Sequence, residues 1–156
     1  MRRHSYTAAL TWTGNDGQGT ADYRAYRRDH DIRFGAKPKL LGSADPAFRG
    51  DPERHSPEEL LLAALSGCHM LWYLHLCADA GVVAVAYHDE AVGTMVEEED
   101  GGGQFQEVVL RPLVLVTDRA VVELADRLHE EAHRLCFIAR SVNFEVRCEA
   151  TTEVAP

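Results

Sequence analysis

The chain has 156 residues, 46% hydrophobic and 26% charged, enough for one globular domain with a closed core; disordered and collagen-like classes are excluded. Sixteen Lys and Arg against 25 Asp and Glu leave a formal charge of −9, which repels phosphate backbones and anionic membrane surfaces, so no nucleic-acid partner is expected. Four Cys without a C-x-x-C pair argue against a disulfide-stapled fold, a zinc ribbon or a thioredoxin motif, and fit a reducing compartment.

In chain order, Met1-Arg2-Arg3-His4-Ser5-Tyr6 is positive but lacks an apolar stretch behind it, so no secretory signal and a cytoplasmic location are expected. Tyr6 to Thr13 is rich in strand formers, Asn15-Asp16-Gly17 is a turn signal, and Thr20 to Arg27 alternates weakly, which together predict an opening hairpin. Ile32 to Phe34 predicts a short strand. Gly35 to His55, with three Pro and three Gly, predicts a long irregular loop of the kind that often carries function.

Leu60 to Ala78 contains no Asp, Glu, Lys or Arg, a run long enough to cross a membrane. Ser66, Gly67, His69 and His75 inside it, and an acidic residue at each end, favour instead a helix wrapped by protein on every side. Ser56 as N-cap, Pro57 at the first helical position, Glu59 as the capping-box acid and Gly81 at the C-terminus bound it, giving about 36 Å of helix.

Further on, Val83 to Val96 and Gln104 to Val116 flank Asp100-Gly101-Gly102-Gly103 and predict a long hairpin, with Pro112 marking an edge or a bulge. Residues 119 to 135 place Val121, Leu124, Ala125, Leu128, Ala132 and Leu135 on one stripe of an amphipathic helix. Val142, Phe144, Val146, Cys148 and Ala150 alternate with polar residues as a half-buried final strand. The order predicts one α+β domain over 1–156, without a linker or a repeat. A single copy has too few strands to cover so apolar a helix, so an intimate homodimer is expected.

Cys68 sits mid-way along the central helix behind the small Ser66-Gly67, which leaves room for a group to approach its sulfur. Cys77, nine residues on, lies on the opposite helix face; Cys77 and Cys148 read as core thiols. Cys136 closes the amphipathic helix before Phe137-Ile138. His129-Glu130-Glu131-Ala132-His133 satisfies H-E-x-x-H, which leaves a zinc hydrolase open as an alternative to a solvated helix face. His69 and His75 read as satisfied polar residues or pocket lining, and no G-x-G-x-x-G fingerprint follows a strand.

The run Ser56-Pro57-Glu58-Glu59-Leu60 through Ser66-Gly67-Cys68-His69-Met70 closely resembles the central-helix motif of the OsmC/Ohr family, N-P-E-[EQ]-L before a small residue and Cys. Ala132-His133-Arg134-Leu135-Cys136 followed by Ser141-Val142 resembles that family's second Cys, and the order of elements agrees from about Tyr6 onwards. The resemblance implies an OsmC-like fold, antiparallel sheets wrapped around long buried central helices in an interlocked dimer with active sites at the subunit interface. It also implies a thiol-dependent peroxidase of the oxidative stress response that reduces organic hydroperoxides. On that resemblance Cys68 is the peroxidatic Cys, Cys136 the resolving Cys and Glu58 the conserved carboxylate. A lipoyl-type dithiol would restore both thiols, and neither a metal nor any other cofactor is required.

Leu65, His69, Trp72 and Phe137 are the expected substrate-binding residues, the apolar character of Leu65, Trp72 and Phe137 favouring fatty or aromatic hydroperoxides. On a straight helix Glu58 stands about 15 Å from Cys68 and roughly 80° around, so an Arg must intervene if the carboxylate is to serve the thiolate. Family members typically carry that Arg where Asp16 stands here; Arg28 is the preferred substitute and Arg49 the second candidate. The departure leaves open a family member with little peroxidase activity that binds small molecules or thiols.

Overall fold

The computed structural model describes residues 2–156, which form two compact units, 2–61 and 62–156. In the first, β1 (Ala9–Trp12), β2 (His30–Arg33) and β3 (Leu40–Gly42) make an antiparallel sheet in the order β1-β2-β3. Leu10 and Leu40 both pair with Ile32, the buried residue at the sheet's centre. The expected opening hairpin is corrected: β1 pairs with β2, and 20–27 forms turns instead of a strand. Its alternation lacks an apolar face to bury, and Asn15 Oδ1 instead accepts from the N–H groups of Gly17 and Gly19, both at 2.9 Å and both with positive φ. The loop before the central helix contains β3 and a short turn of helix at Pro46–Phe48, capped by Asp45.

Helix α1 (Pro57–Ala80) begins as its sequence requires. Glu59 N–H donates to Ser56 Oγ (3.2 Å) while Ser56 N–H donates to Glu59 Oε2 (2.9 Å), a complete capping box. Gly81, at φ 72°, ends the helix in the left-handed conformation.

The second unit holds two three-stranded sheets. β4 (Ala84–Asp89), β7 (Pro112–Val116) and β9 (Thr151–Val154) run in the order β4-β7-β9; β5 (Val92–Glu97), β6 (Gly103–Leu110) and β8 (Glu145–Cys148) in the order β5-β6-β8. The expected long hairpin is thus divided between two sheets, β5 pairing with β6 and β4 with β7. Pro112 opens a central strand instead of marking an edge, because the first residue of a strand can lack an N–H. The sheets are mixed: β6 with β8 and β7 with β9 are parallel, which requires a crossover, supplied by α2 (Val122–Leu135). The architecture is α+β, and β9 is a strand beyond the predicted final one.

Within the chain α1 is covered along one stripe only, Leu65, His69, Tyr73 and Cys77, each four residues after the last. Tyr73 and Cys77 pack with Val114 and Val116 of β7 and Ala125 and Ala132 of α2. The expectation of burial on every side is corrected, since Leu71 is 65% exposed. Two three-stranded sheets and one further helix offer apolar partners to one face of α1, and its other apolar positions remain uncovered. By length and composition α1 could also cross a membrane.

Candidate active site

Cys68 projects from the part of α1 next to the buried stripe, and helical spacing places Ala64, Leu71 and His75 in line with it. Together with Gly67, Trp72, Phe137 and Ile138 they line a cavity of about 640 Å³. A Cβ at Gly67 would meet nothing within 4 Å, so glycine there keeps the approach to the sulfur open. Trp72 meets Phe137 edge-on, with centroids 5.6 Å apart, which joins α1 to the segment following α2.

Cys136 ends α2 and is buried. Its Sγ accepts from Ala139 N–H at 3.4 Å, and the Cys68 thiol is near enough to influence its ionisation. Burial, the largest cause, and the neighbouring Cys68 push the Cys136 thiol up to about 11, so it is protonated at neutral pH. All four cysteines are free thiols, Cys68 being partly exposed. A half-open thiol at the floor of an apolar cavity, with a second, protonated thiol beside it, suits attack on a small electrophile followed by disulfide formation.

Of the expected substrate-binding residues, Trp72 and Phe137 line this cavity; Leu65 and His69 do not, which corrects that expectation. Both belong to the fully buried stripe of α1, one helical step away from the Cys68 face. His75 lines the cavity, one of the two roles expected of it; Ala64 and Leu71 were missed, although their spacing from Cys68 was the signal that could have found them.

Glu58 lies in the first turn of α1, in the first unit, with one carboxylate oxygen buried and unpartnered. In the same unit the Arg28 guanidinium donates to Tyr26 O (2.6 Å) and Tyr23 O (2.8 Å) and stacks 4.2 Å from each of those two rings, so its donors serve its own loop. Arg49 is the left-handed cap of the short helical turn. Asp16, at the position of the missing cation, accepts from Arg27, which also pairs with the buried Asp29. Sequence reasoning passed over Arg54: it lies 3.7 Å from Asp29, and its Nη1 is buried without an acceptor.

A second cluster occupies the buried face of α1. His69 Nε2 and His129 Nδ1 share a hydrogen bond of 3.0 Å, and Cys148 Sγ stands 3.6 Å from the first nitrogen and 3.9 Å from the second. Burial holds both imidazoles neutral, His69 near 4 and His129 near 3, and pushes the Cys148 thiol up to about 12. His129 therefore faces the core rather than a solvated flank, and its neighbour is His69 instead of His133.

The family model for OsmC-like proteins matches residues 50–151. The chain belongs to the OsmC-like family. Among solved structures, this OsmC-like chain is similar to an OsmC-like protein of unknown function from Vibrio cholerae, with 34% identity, TM-score 0.85, and 96% of this chain and 100% of that one covered. It shares its fold with an organic hydroperoxide resistance protein from Elizabethkingia anophelis (18% identity, TM-score 0.69, 99% and 100% covered). The same holds for the organic hydroperoxide resistance protein OhrB of Bacillus subtilis (21%, TM-score 0.61, 94% and 98% covered). No curated protein matches the OsmC-like chain.

Proposed function

We propose that the protein is a two-cysteine peroxidase that reduces organic hydroperoxides to alcohols. One observation carries the reading: Cys68 is partly exposed on an apolar cavity of about 640 Å³, with the buried Cys136 thiol as a neighbour. The Cys68 thiolate attacks the distal peroxide oxygen, the O–O bond breaks, and the alcohol leaves after taking a proton, with Cys68 now a sulfenic acid. Cys136 displaces that oxygen as water and forms the Cys68–Cys136 disulfide. A dithiol of the lipoyl type reduces the bridge and is itself oxidised to a disulfide. Trp72, Phe137 and the alanine face of α1 would hold the hydrocarbon part of the substrate and disfavour hydrogen peroxide. Two of the structural relatives are named for organic hydroperoxide resistance, which supports the same reading.

The uncovered apolar positions of α1, Leu71 and Leu74 among them, support a homodimer that buries them. Four free thiols suit a reducing compartment such as the cytoplasm. Glu58, with Arg28 as the candidate arginine, is proposed to serve the thiolate. The local use of Arg28 and the Asp16–Arg27 pair favour the second reading, a small-molecule binder of low peroxidase activity.

The test mixes reduced protein with cumene hydroperoxide or hydrogen peroxide under a dithiol and maps disulfides by mass spectrometry. Fast loss of the organic peroxide with a Cys68–Cys136 bridge is the expected result; absence of both turnover and bridge would overturn the reading in favour of the binder.

A further inference from the structure

We propose that His69, His129 and Cys148 bind one transition-metal ion of the Zn²⁺ class, through His69 Nε2, His129 Nδ1 and Cys148 Sγ. The three residues come from α1, α2 and β8, and their ligand atoms all lie within 4.8 Å of one another. Tetrahedral zinc with ordinary bond lengths sets nitrogen–nitrogen separations of about 3.3 Å and nitrogen–sulfur separations of about 3.5 Å. The separations here, 3.0, 3.6 and 3.9 Å, differ from those by a few tenths of an ångström, within reach of small ring rotations.

Packing alone does not call for these residues at this place. The mutual hydrogen bond satisfies one nitrogen of each ring, and His69 Nδ1 and His129 Nε2 remain buried without a protein partner. Apolar side chains of similar volume would avoid that desolvation cost, whereas two imidazoles and a thiol converging on one point make a borderline-soft donor set. Tyr73 stacks on the His129 ring with centroids 3.9 Å apart and planes 11° apart, which fixes the ring's plane as a ligand requires.

His129 and Cys148 both line a cavity of about 410 Å³ that also carries Asp126 and Glu130. The cavity gives an ion a route in, attracts cations through its carboxylates, and has room for a water as fourth ligand. On loading, the proton between the imidazoles shifts to an outer ring nitrogen and the Cys148 proton leaves to solvent, so one proton is released per ion and no electron moves. The H-E-x-x-H pattern thus contributes its first histidine to a site different from the one that pattern describes. No ligand is shared with Cys68 and Cys136, so the site stands or falls independently of the peroxidase reading.

The test adds Co²⁺ and Zn²⁺ separately to the full-length, reduced, chelator-treated protein. One equivalent per chain is expected, with a thiolate-to-cobalt charge-transfer band and tetrahedral d–d absorption. Cys148→Ser removes the charge-transfer band, and His69→Asn and His129→Asn each weaken Zn²⁺ binding at least about a hundredfold. His133→Asn keeps the affinity within about threefold, because that ring supplies no ligand atom. Zinc X-ray absorption on the unmutated protein gives an answer even where a histidine variant fails to fold: two nitrogens near 2.0 Å and one sulfur near 2.3 Å are expected. No stoichiometric binding, a shell with two sulfurs, a band that survives Cys148→Ser, or metal lost with His133→Asn would each overturn the proposal.

Discussion

Cys68 and His69 are adjacent in the sequence, yet they belong to opposite chemical environments. Cys68 opens on a cavity walled by alanines, Trp72 and Phe137; His69 is fully buried against a second imidazole and a different thiol. A single 100° step along α1 separates the two. The comparison shows that the helix sorts its polar residues by face: a thiol at an apolar cavity on one side, and on the packed side a histidine cluster whose outer ring nitrogens lack a protein partner. Surroundings, rather than residue type or exposure, therefore distinguish Cys68 from Cys148, both of them partly exposed.

The sharpest way to break this contrast is to exchange the losses. Cys68→Ser is expected to reduce hydroperoxide turnover at least about a thousandfold while leaving Co²⁺ binding intact, and Cys148→Ser to do the reverse, as read by peroxide assays and cobalt spectra on the same samples. If both variants lost both properties, the two faces would be one coupled site. Cys136→Ser is expected to consume a single equivalent of peroxide and then stall, with the Cys68 sulfenic acid trapped by dimedone in the mass spectrum.

Stability offers a second contrast along the same helix. Leu65→Ala, on the covered stripe, is expected to cost about 2–5 kcal/mol in urea denaturation. Leu71→Ala, on the uncovered face, is expected to leave the monomer within about 0.5 kcal/mol and to weaken self-association in sedimentation equilibrium. Cys136 adds a pH signature. Burial raises its thiol from 9.0 to about 11, so the unfolded chain gives up this proton at a lower pH than the folded one. The stabilisation is whole below pH 9 and declines as the pH rises towards 11, which urea midpoints at stepped pH would reveal as a steeper fall in the unmutated protein than in Cys136→Ser, where the likewise raised Cys148 thiol still contributes. Gly67→Ala acts with the opposite sign: with open space at its Cβ, the change is expected to gain up to about 1 kcal/mol from helix propensity.

Local signals read well from the sequence. The reciprocal Ser56 and Glu59 bonds and the left-handed Gly81 bound α1 where the residues said they would, because caps act within a few positions. The stripe of α2, with Ala125 and Ala132 buried, agrees with periodicity. The histidine cluster was out of reach: His69 bonds to a ring 60 positions away and meets a thiol 79 positions away, and periodicity describes one element at a time. The division of the central hairpin between two sheets, and the two parallel pairings, are likewise choices made by packing.

Those parallel pairings share one further property. Glu107 pairs with Glu145 and Leu113 with Thr151, so both ladders join residues separated by the same length of chain. The excursion through α2 is common to both. Seating that helix once brings β8 and β9 to their sheets together, so the entropy of closing a loop of about forty residues is incurred in one event rather than two. Such a chain should fold slowly for its size, since its ladders are nonlocal, but with both sheets appearing in a single kinetic phase.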